Sequence, residues 1–157
     1  MRPVFILIAF IVFLLGSCTS EGKDHHHEQA NGLLILEGGE TVAQTMDRLE
    51  QAATARGFKV FARIDHQAGA ESIDQALRPT QLLIFGNPAG GTPLMQAAQS
   101  FGIDLPLKAL VYEDETGAIK IAFNDPRFLA QRHGLPNPER MIQKMTGLLE
   151  ALAQAAQ

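Results

Sequence analysis

Apolar residues recur along this chain in short runs separated by polar turns, from residue 32 to the end. The apolar run at 32–36 predicts a first strand. Thr41 then stands where a helix N-cap is expected, and Gly57 stands where that helix should end. The predicted helix has apolar positions spaced by four, three and four residues. These positions are Val42, Met46, Leu49 and Ala53.

The middle of the chain continues the alternation of strands and helices. Every second residue from 58 to 64 is apolar, which predicts a half-buried strand with one apolar face. That face would hold Phe58, Val60, Ala62 and Ile64. A short helix is expected at 69–77, and the run at 81–85 is apolar on both faces, as in an interior strand. Thr92 and Pro93 predict a helix start, with Gly102 at its end.

The last third of the chain predicts a hairpin and a long helix. Apolar runs at 107–113 and 118–123 flank an acidic turn at 114–117, which is typical of a β-hairpin. Asn137 and Pro138 predict the start of a final helix. The apolar positions of that helix are Met141, Met145, Leu148 and Leu152.

This order, β-α-β-α-β-α-β-β-α, predicts an α/β fold. We expect a single domain over residues 32–157, with helices packed on a mixed sheet. The hairpin at 107–123 is expected at an edge of that sheet. An exposed edge strand can pair with a second copy of the chain, so a homodimer is one candidate assembly.

The N-terminal segment has the layout of a secretory signal. Arg2 supplies a positive start, twelve uninterrupted apolar residues follow at 4–15, and small residues precede Cys18. As a helix, the apolar run would reach about 18 Å, which is short of the roughly 30 Å hydrocarbon core of a bilayer. We therefore expect a signal peptide at 1–17 rather than a spanning helix.

The sequence Leu-Gly-Ser-Cys at 15–18 resembles the bacterial lipobox. The resemblance implies a lipid on the Cys18 sulfur, cleavage before Cys18 and acylation of the new amino terminus, which together anchor a protein stably. Residues 18–31 would then be the lipidated cysteine and a flexible tether. Because residue 19 is Thr and not Asp, we expect the outer membrane, facing the periplasm, rather than the inner membrane. The alternative is an uncleaved signal anchor in which Cys18 is incidental.

Charge and cysteine content narrow the function classes. The net charge is −4, and removal of 1–17 takes away only Arg2, which leaves −5. Because Lys and Arg are not clustered, a nucleic-acid partner is not expected. The expected partners are the lipid bilayer, through acylated Cys18, and an unknown small ligand or envelope protein. No cofactor is indicated, and the lone cysteine excludes an internal disulfide.

Six short segments carry a distinctive combination of residues. The most specific is Phe-Gly-Asn-Pro at 85–88, within the longer segment 82–88. The others lie at 61–66, 77–80, 92–96, 104–108 and 123–126. Together these segments resemble the DUF302 family, a domain of unknown function. The resemblance covers roughly residues 33–135 and implies a small α/β domain. It implies no established activity.

Polar residues that follow the predicted strands are the candidate ligand-binding set. They are Asp65, His66, Arg78, Asn87, Asn124, Asp125 and His133. Ligand sites of open α/β sheets tend to lie beyond strand ends, and His66 could act as a base oriented by Asp65 or Asp125. The alternative is structural, because Asn-Pro and Asp-Pro pairs form turns and cap backbone amides. Arg78 could bind an anion or pair with a nearby acid.

The sequence gives weaker indications of a metal site or a catalytic nucleophile than of a ligand-binding site. The tract His25, His26 and His27 could chelate a metal, or it could be a polar spacer in the tether. No zinc motif is present. Nucleophilic catalysis is not expected, because Ser72 and Ser100 lie in predicted helical segments without a nucleophile-elbow motif. The leading hypothesis is a binding module. The alternatives are an acid–base enzyme that uses His66 and a self-associating structural protein.

Overall fold

The computed structural model of the protein describes residues 32–157, which form five strands and five α-helices. The strands are β1 (Leu33–Glu37), β2 (Lys59–Asp65), β3 (Thr80–Gly86), β4 (Leu107–Glu113) and β5 (Ile119–Asn124). The helices are α1 (Val42–Ala55), α2 (His66–Glu71), α3 (Pro88–Ala97), α4 (Pro126–Arg132) and α5 (Glu139–Ala156). A 3₁₀ turn at Gln99–Ile103 follows α3. The predicted signal peptide, Cys18 and the histidine tract lie outside the described residues.

The strands form one sheet in the order β1-β5-β4-β3-β2. The predicted α/β domain with helices packed on a sheet is confirmed. The expectation of a mixed sheet is wrong, because each neighbouring pair is antiparallel. The strands β1 and β2 run in the same direction but lie at opposite edges, since the connection through α1 crosses the whole sheet.

The prediction that the hairpin lies at an edge of the sheet is wrong. Strands β4 and β5, which form the hairpin, lie inside the sheet. Strand β1 returns to pair with β5, and β3 pairs with the other side of β4. The edges are therefore β1 and β2. A dimer through the free edge of the hairpin is excluded by this order, because both hairpin strands already have two neighbours.

One face of the sheet carries the hydrophobic core, under α1 and α5. The predicted apolar positions of α1 hold, since Met46, Leu49 and Ala53 are fully buried against the sheet. The helix begins where Thr41 accepts a hydrogen bond from the Gln44 amide at 3.2 Å. It ends before Gly57, whose φ of +78° is a conformation that favours glycine.

A β-bulge in β2 changes which residues share a face. Val60 lies opposite Phe85, but Ala62 lies opposite Ile84, so Phe61 is the extra residue. The expected common face for Phe58, Val60, Ala62 and Ile64 is therefore wrong. A bulge shifts the alternation by one residue, which moves Ala62 and Ile64 to the face opposite Val60.

Capping side chains explain the other differences from the expected elements. Helix α3 begins at Pro88 rather than at 93, because Asn87 accepts a hydrogen bond from the Ala89 amide at 2.8 Å. Helix α2 begins at 66 rather than at 69, because Asp65 caps it. Helix α4, which was not predicted, begins at Pro126 after the cap residue Asp125. Each start is an acid or amide followed by the first turn of a helix.

Candidate functional site

The second face of the sheet is left largely uncovered by the described residues. A row of paired residues crosses all five strands on this side: Ile35, Ala122, Leu110, Leu82 and Ile64. The exposed residues lie on the edge strands, where Ile35 is 42% exposed, Ile64 38% and the bulge residue Phe61 51%, whereas Ala122 in β5 is 5% exposed. We call this surface the open face, and it consists of that row together with Leu33, Glu37, Lys59, Phe61, Ala62, Ile84, Lys108, Tyr112 and Lys120.

Lysines border the apolar row of the open face on both sides. The Lys108 side chain is opposite Ile84, and Lys120 is opposite Tyr112. Lys120 binds Glu37 on the same face at 2.7 Å, and this hydrogen bond raises the pKa of Lys120. The Lys59 ammonium lies 5.2 Å from the centre of the Phe61 ring, within cation–π range. Lys120 also lies 3.9 Å from Asp114, so three lysines and two acids border the apolar row, a small excess of positive charge in an acidic domain.

The two best-defined concavities among residues 32–157 are small or shallow. A groove of about 570 Å³ along the outer side of α1 is broadly open to solvent, and Asp47 and Glu50 line it. A cavity of about 30 Å³ lies beside Asp125, Arg127 and Glu150, which is room for about one water molecule. Ligand sites for small molecules bury most of the ligand surface. Neither concavity has that form.

The sheet places the predicted site residues at two opposite ends. Through its partners in β3 and β4, Asp65 lies level with Ile121, three residues before Asn124. Asp65 and Asn124 are thus separated by roughly 10 Å along the strands and about 14 Å across them. His66 follows Asp65, and Asp125 follows Asn124. The structure therefore does not bring His66 to Asp125, because β2 and β5 end at opposite ends of the sheet.

Four of the seven predicted site residues form side-chain hydrogen bonds with backbone amides or carbonyls. Asp65 accepts from the Ala68 amide at 3.0 Å and from the Gln81 side chain at 3.2 Å. The Arg78 guanidinium donates to the Glu113 carbonyl at 3.0 Å, and Asn87 donates to the Gly57 carbonyl at 3.0 Å. The buried Asp125 carboxylate accepts from the Arg127 amide at 2.7 Å.

The two remaining residues have different environments. Asn124 is half-buried in β5, opposite Leu33, and His66 is exposed at the start of α2. Asp65, Arg78, Asn87 and Asp125 thus make the backbone contacts that the structural alternative predicts. Contacts of any of the seven residues with a ligand stay a prediction.

His133 is the predicted site residue that joins a chain of polar side chains. Its Nε2 lies 2.7 Å from an Asp104 carboxylate oxygen, and its Nδ1 lies 2.9 Å from the Ser100 hydroxyl. Arg132 approaches the other Asp104 oxygen at 3.3 Å. The His133 ring also packs on Phe101, with 4.7 Å between ring centres. We call Ser100, Asp104 and His133 the polar triad.

Burial separates the three members of the polar triad. The side chains of His133 and Asp104 are 4% and 9% exposed, whereas Ser100 is on the surface. With the proton on Nε2, His133 donates to Asp104 and accepts from the Ser100 hydroxyl at Nδ1. Ser100 and Asp104 were not in the predicted site, because nothing in the local sequence links them to a histidine about thirty positions away. The only local signal was the presence of Ser100 and Asp104 four residues apart.

Metal and membrane-spanning features were sought in residues 32–157. That region contains no group of three or more His, Cys, Asp or Glu side chains placed to hold a metal ion. Within the same range, no helix has the length and apolar character needed to cross a bilayer.

A family model described as "Domain of unknown function DUF302" matches residues 37–152. A segment of 105 residues is 47% identical to the protein named "Fluoride-specific ion channel FluC 1" of Brucella suis biovar 1, and covers 67% of this chain and 41% of that protein. The protein of the same name from Brucella abortus biovar 1 has the same identity over 39% of its length. The chain thus matches about two fifths of the length of these relatives.

The fold has a counterpart among solved structures. The "uncharacterized conserved protein DUF302 from Bacillus stearothermophilus" superimposes with a TM-score of 0.72 at 20% sequence identity. The match covers 82% of this chain and the whole of that chain. At this identity the match shows a common fold.

Proposed function

This chain belongs to the DUF302 family, whose domain has no known function, and we propose that it is a membrane-anchored envelope lipoprotein whose domain binds a partner protein. The observation that carries the proposal is the open face. Five strands at about 4.8 Å spacing and about 17 Å of strand length give it roughly 400 Å² in projection. Its apolar row crosses the middle of that area, and contiguous apolar patches exposed on a monomer often mark interaction sites.

The charges around the open face define the chemistry of the partner. Lys59, Lys108 and Lys120 surround the apolar row, and Glu37 and Asp114 both pair with Lys120. A complementary surface is apolar at its centre and bordered by carboxylates. A second copy of the chain would bring the same lysine excess, so face-to-face self-association is the less favourable arrangement. A small ligand is also less favoured, because the larger groove lies along α1 and the cavity beside Leu33 has room for about one water molecule.

The membrane part of the proposal rests on two independent observations. The first is the lipobox-like sequence that ends at Cys18, after a signal-like segment. The second is that a segment similar to this domain forms part of longer proteins named as ion channels. An ion channel spans a membrane, so a domain in the same polypeptide as a channel lies next to that membrane. Tethering by acylated Cys18 would give the present domain the same surroundings.

Crosslinking in the cells that make the protein tests the docking surface. A photo-crosslinking amino acid at Ile35 of the full chain is expected to capture one discrete envelope protein, identified by mass spectrometry. The same amino acid at Gln51, on the exposed outer side of α1, is the matched position and should not capture it. Equal capture from both positions contradicts the proposal, and so does capture of only a second copy of this chain.

Charge and hydrophobicity variants show whether the capture uses the open face. Ile64→Glu is expected to abolish the crosslink, because it places a charge within the apolar row. Ile103→Glu is the control, since Ile103 is 71% exposed in the 3₁₀ turn, outside the open face. Lys108→Glu should weaken the crosslink, and a carboxylate-to-lysine change on the identified partner should restore it. Failure of this rescue would rule out charge complementarity as the basis of recognition.

Lipid attachment is tested separately. Cells fed an alkyne analogue of palmitate should label the wild-type chain, and the label should be absent from Cys18→Ser. The variant is also expected to leave the membrane fraction. Label on the Cys18→Ser chain, or no label on the wild-type chain, would contradict lipid attachment at Cys18. Neither result would bear on the proposal that the open face binds a partner.

A further inference from the structure

We propose that the polar triad is a site of acyl transfer, in which Ser100 attacks carboxylic esters. Nothing in the proposed binding function requires this chemistry, and the triad is not part of the open face. It sits beside the covered face, between the 3₁₀ turn and the end of α4. The inference rests on three features: the connectivity of the triad, its burial pattern and the support around it.

The connectivity is that of an activated serine. The hydroxyl of Ser100 is 2.9 Å from one ring nitrogen of His133, and Asp104 is 2.7 Å from the other. A serine hydroxyl is a weak nucleophile until an adjacent base can take its proton, and a third group must orient that base. In this chain Nδ1 faces the serine and Nε2 faces the aspartate. Because either ring nitrogen can act as the base, this orientation performs the same task.

The burial pattern suits catalysis better than it suits a purely structural hydrogen bond. The base and the orienting acid are almost fully buried, while the nucleophile lies on the surface, where an ester can reach it. The other serine among residues 32–157, Ser72, follows α2 and is a useful contrast. Ser72 is exposed as well, but its hydroxyl donates to the Gly69 carbonyl at 2.7 Å. Ser72 therefore has the accessibility of Ser100 without a base.

Neighbouring groups hold the base and the acid in place. The Phe101 ring packs against the imidazole, and Arg132 contacts the second oxygen of Asp104. Because the packing restrains His133 from one side and the carboxylate from another, its orientation toward Ser100 is fixed before a substrate arrives. Such preorganisation is what converts proximity into rate.

The proposed reaction needs only an ester and water. The Ser100 oxygen bonds to the ester carbonyl carbon while its proton passes to Nδ1 of His133. The carbon–alkoxide bond then breaks, and the leaving oxygen takes that proton to become an alcohol. Water attacks the acyl-serine, gives a proton to His133 and releases a carboxylic acid, and the proton returns to the Ser100 oxygen. Asp104 is a positioning residue that stabilises the imidazolium formed in both halves.

Covalent labelling of the full chain, purified in detergent, tests the proposal. A fluorophosphonate probe is expected to modify Ser100 at least about 100-fold faster than Ser72, a ratio typical of assistance by a positioned base. Peptide mass spectrometry locates and quantifies each adduct. Hydrolysis of p-nitrophenyl acetate should fall to the rate without protein in Ser100→Ala and stay unchanged in Ser72→Ala. Because Ser100 lies on the surface, Ser100→Ala is expected to fold.

The positioning role of Asp104 needs its own measurement. Asp104→Asn is expected to lower kcat for p-nitrophenyl acetate while leaving KM unchanged, because the change affects the base and not the approach of the ester. Labelling of wild-type Ser100 no faster than that of Ser72 overturns the proposal, whether or not any variant folds. Esterase activity that survives Ser100→Ala also overturns it.

Discussion

The two faces of the sheet are built from neighbouring residues of the same strands, yet they have opposite surroundings. In β3, Leu83 and Phe85 are fully buried under the helices, while Leu82 and Ile84, which alternate with them along the strand, are partly exposed on the other side. The strand residues on the covered face are largely apolar, and the open face has an apolar row that lysines border. A face that only stabilised the fold would be covered, and a face exposed only to water would be polar. An apolar face that the described part of the chain leaves uncovered is better explained by a partner.

The largest expected difference between the faces is in stability. Phe85→Ala should lower the free energy of unfolding by about 3–5 kcal/mol, because it leaves a cavity in the fully buried core. Ile84→Ala, one residue away on the open face, should cost less, about 1–2 kcal/mol, because Ile84 is only partly buried. Chemical denaturation of both variants measures the two values. Equal losses would mean that the open face is covered in solution.

Much of the covered face could be predicted from the sequence, because its signals are local. The spacing of Val42, Met46, Leu49 and Ala53 defines α1, and Thr41 and Gly57 mark its ends. The acidic turn between β4 and β5 likewise defined the hairpin. These signals depend on residues a few positions apart, which is the range over which helical and strand periodicity is set.

The open face and the polar triad could not be predicted, because both depend on pairing between distant residues. A single extra residue, Phe61, moves Ala62 and Ile64 onto the open face. Nothing in the sequence indicates which side of a strand lacks a covering helix. The triad joins Ser100 and Asp104 to His133, and only the folding of α4 beside the 3₁₀ turn brings them together. Long-range contacts of this kind leave no local pattern.

Polar contacts on the two sides of the sheet should also differ in strength. Asp104→Ala removes the acceptor of buried His133 and should cost about 1–3 kcal/mol, the usual penalty for an unsatisfied buried donor. Lys120→Met removes the ion pair with Glu37 on the open face. It should change stability by less than about 1 kcal/mol, since Glu37 is mostly exposed. Thermal unfolding of both variants at neutral pH makes the comparison, and a larger loss for Lys120→Met would contradict it.

The smallest expected effect is a pH dependence at the hairpin turn, where the two faces meet. The Thr116 hydroxyl donates a hydrogen bond to Asp114 at 2.6 Å and lowers the pKa of Asp114 from its usual 3.8. The pKa of Asp114 is lower in the folded state than in the unfolded state. The stabilisation from this hydrogen bond is therefore fully present at a pH above the unfolded-state pKa. It is lost as the pH falls through the folded-state pKa. Thr116→Ala should therefore reduce stability at neutral pH and converge with the wild type in strong acid.

Two measurements check this dependence. The carboxyl resonance of Asp114, followed by NMR, should titrate at higher pH in Thr116→Ala than in the wild type. Thr80→Ala is the control, because the Thr80 hydroxyl donates to the Arg78 carbonyl and not to a carboxylate. If both variants lose stability equally at every pH, the Thr116 hydroxyl acts on the turn through its geometry alone. The negative charge of Asp114 would then make no contribution to the stability of the turn between β4 and β5.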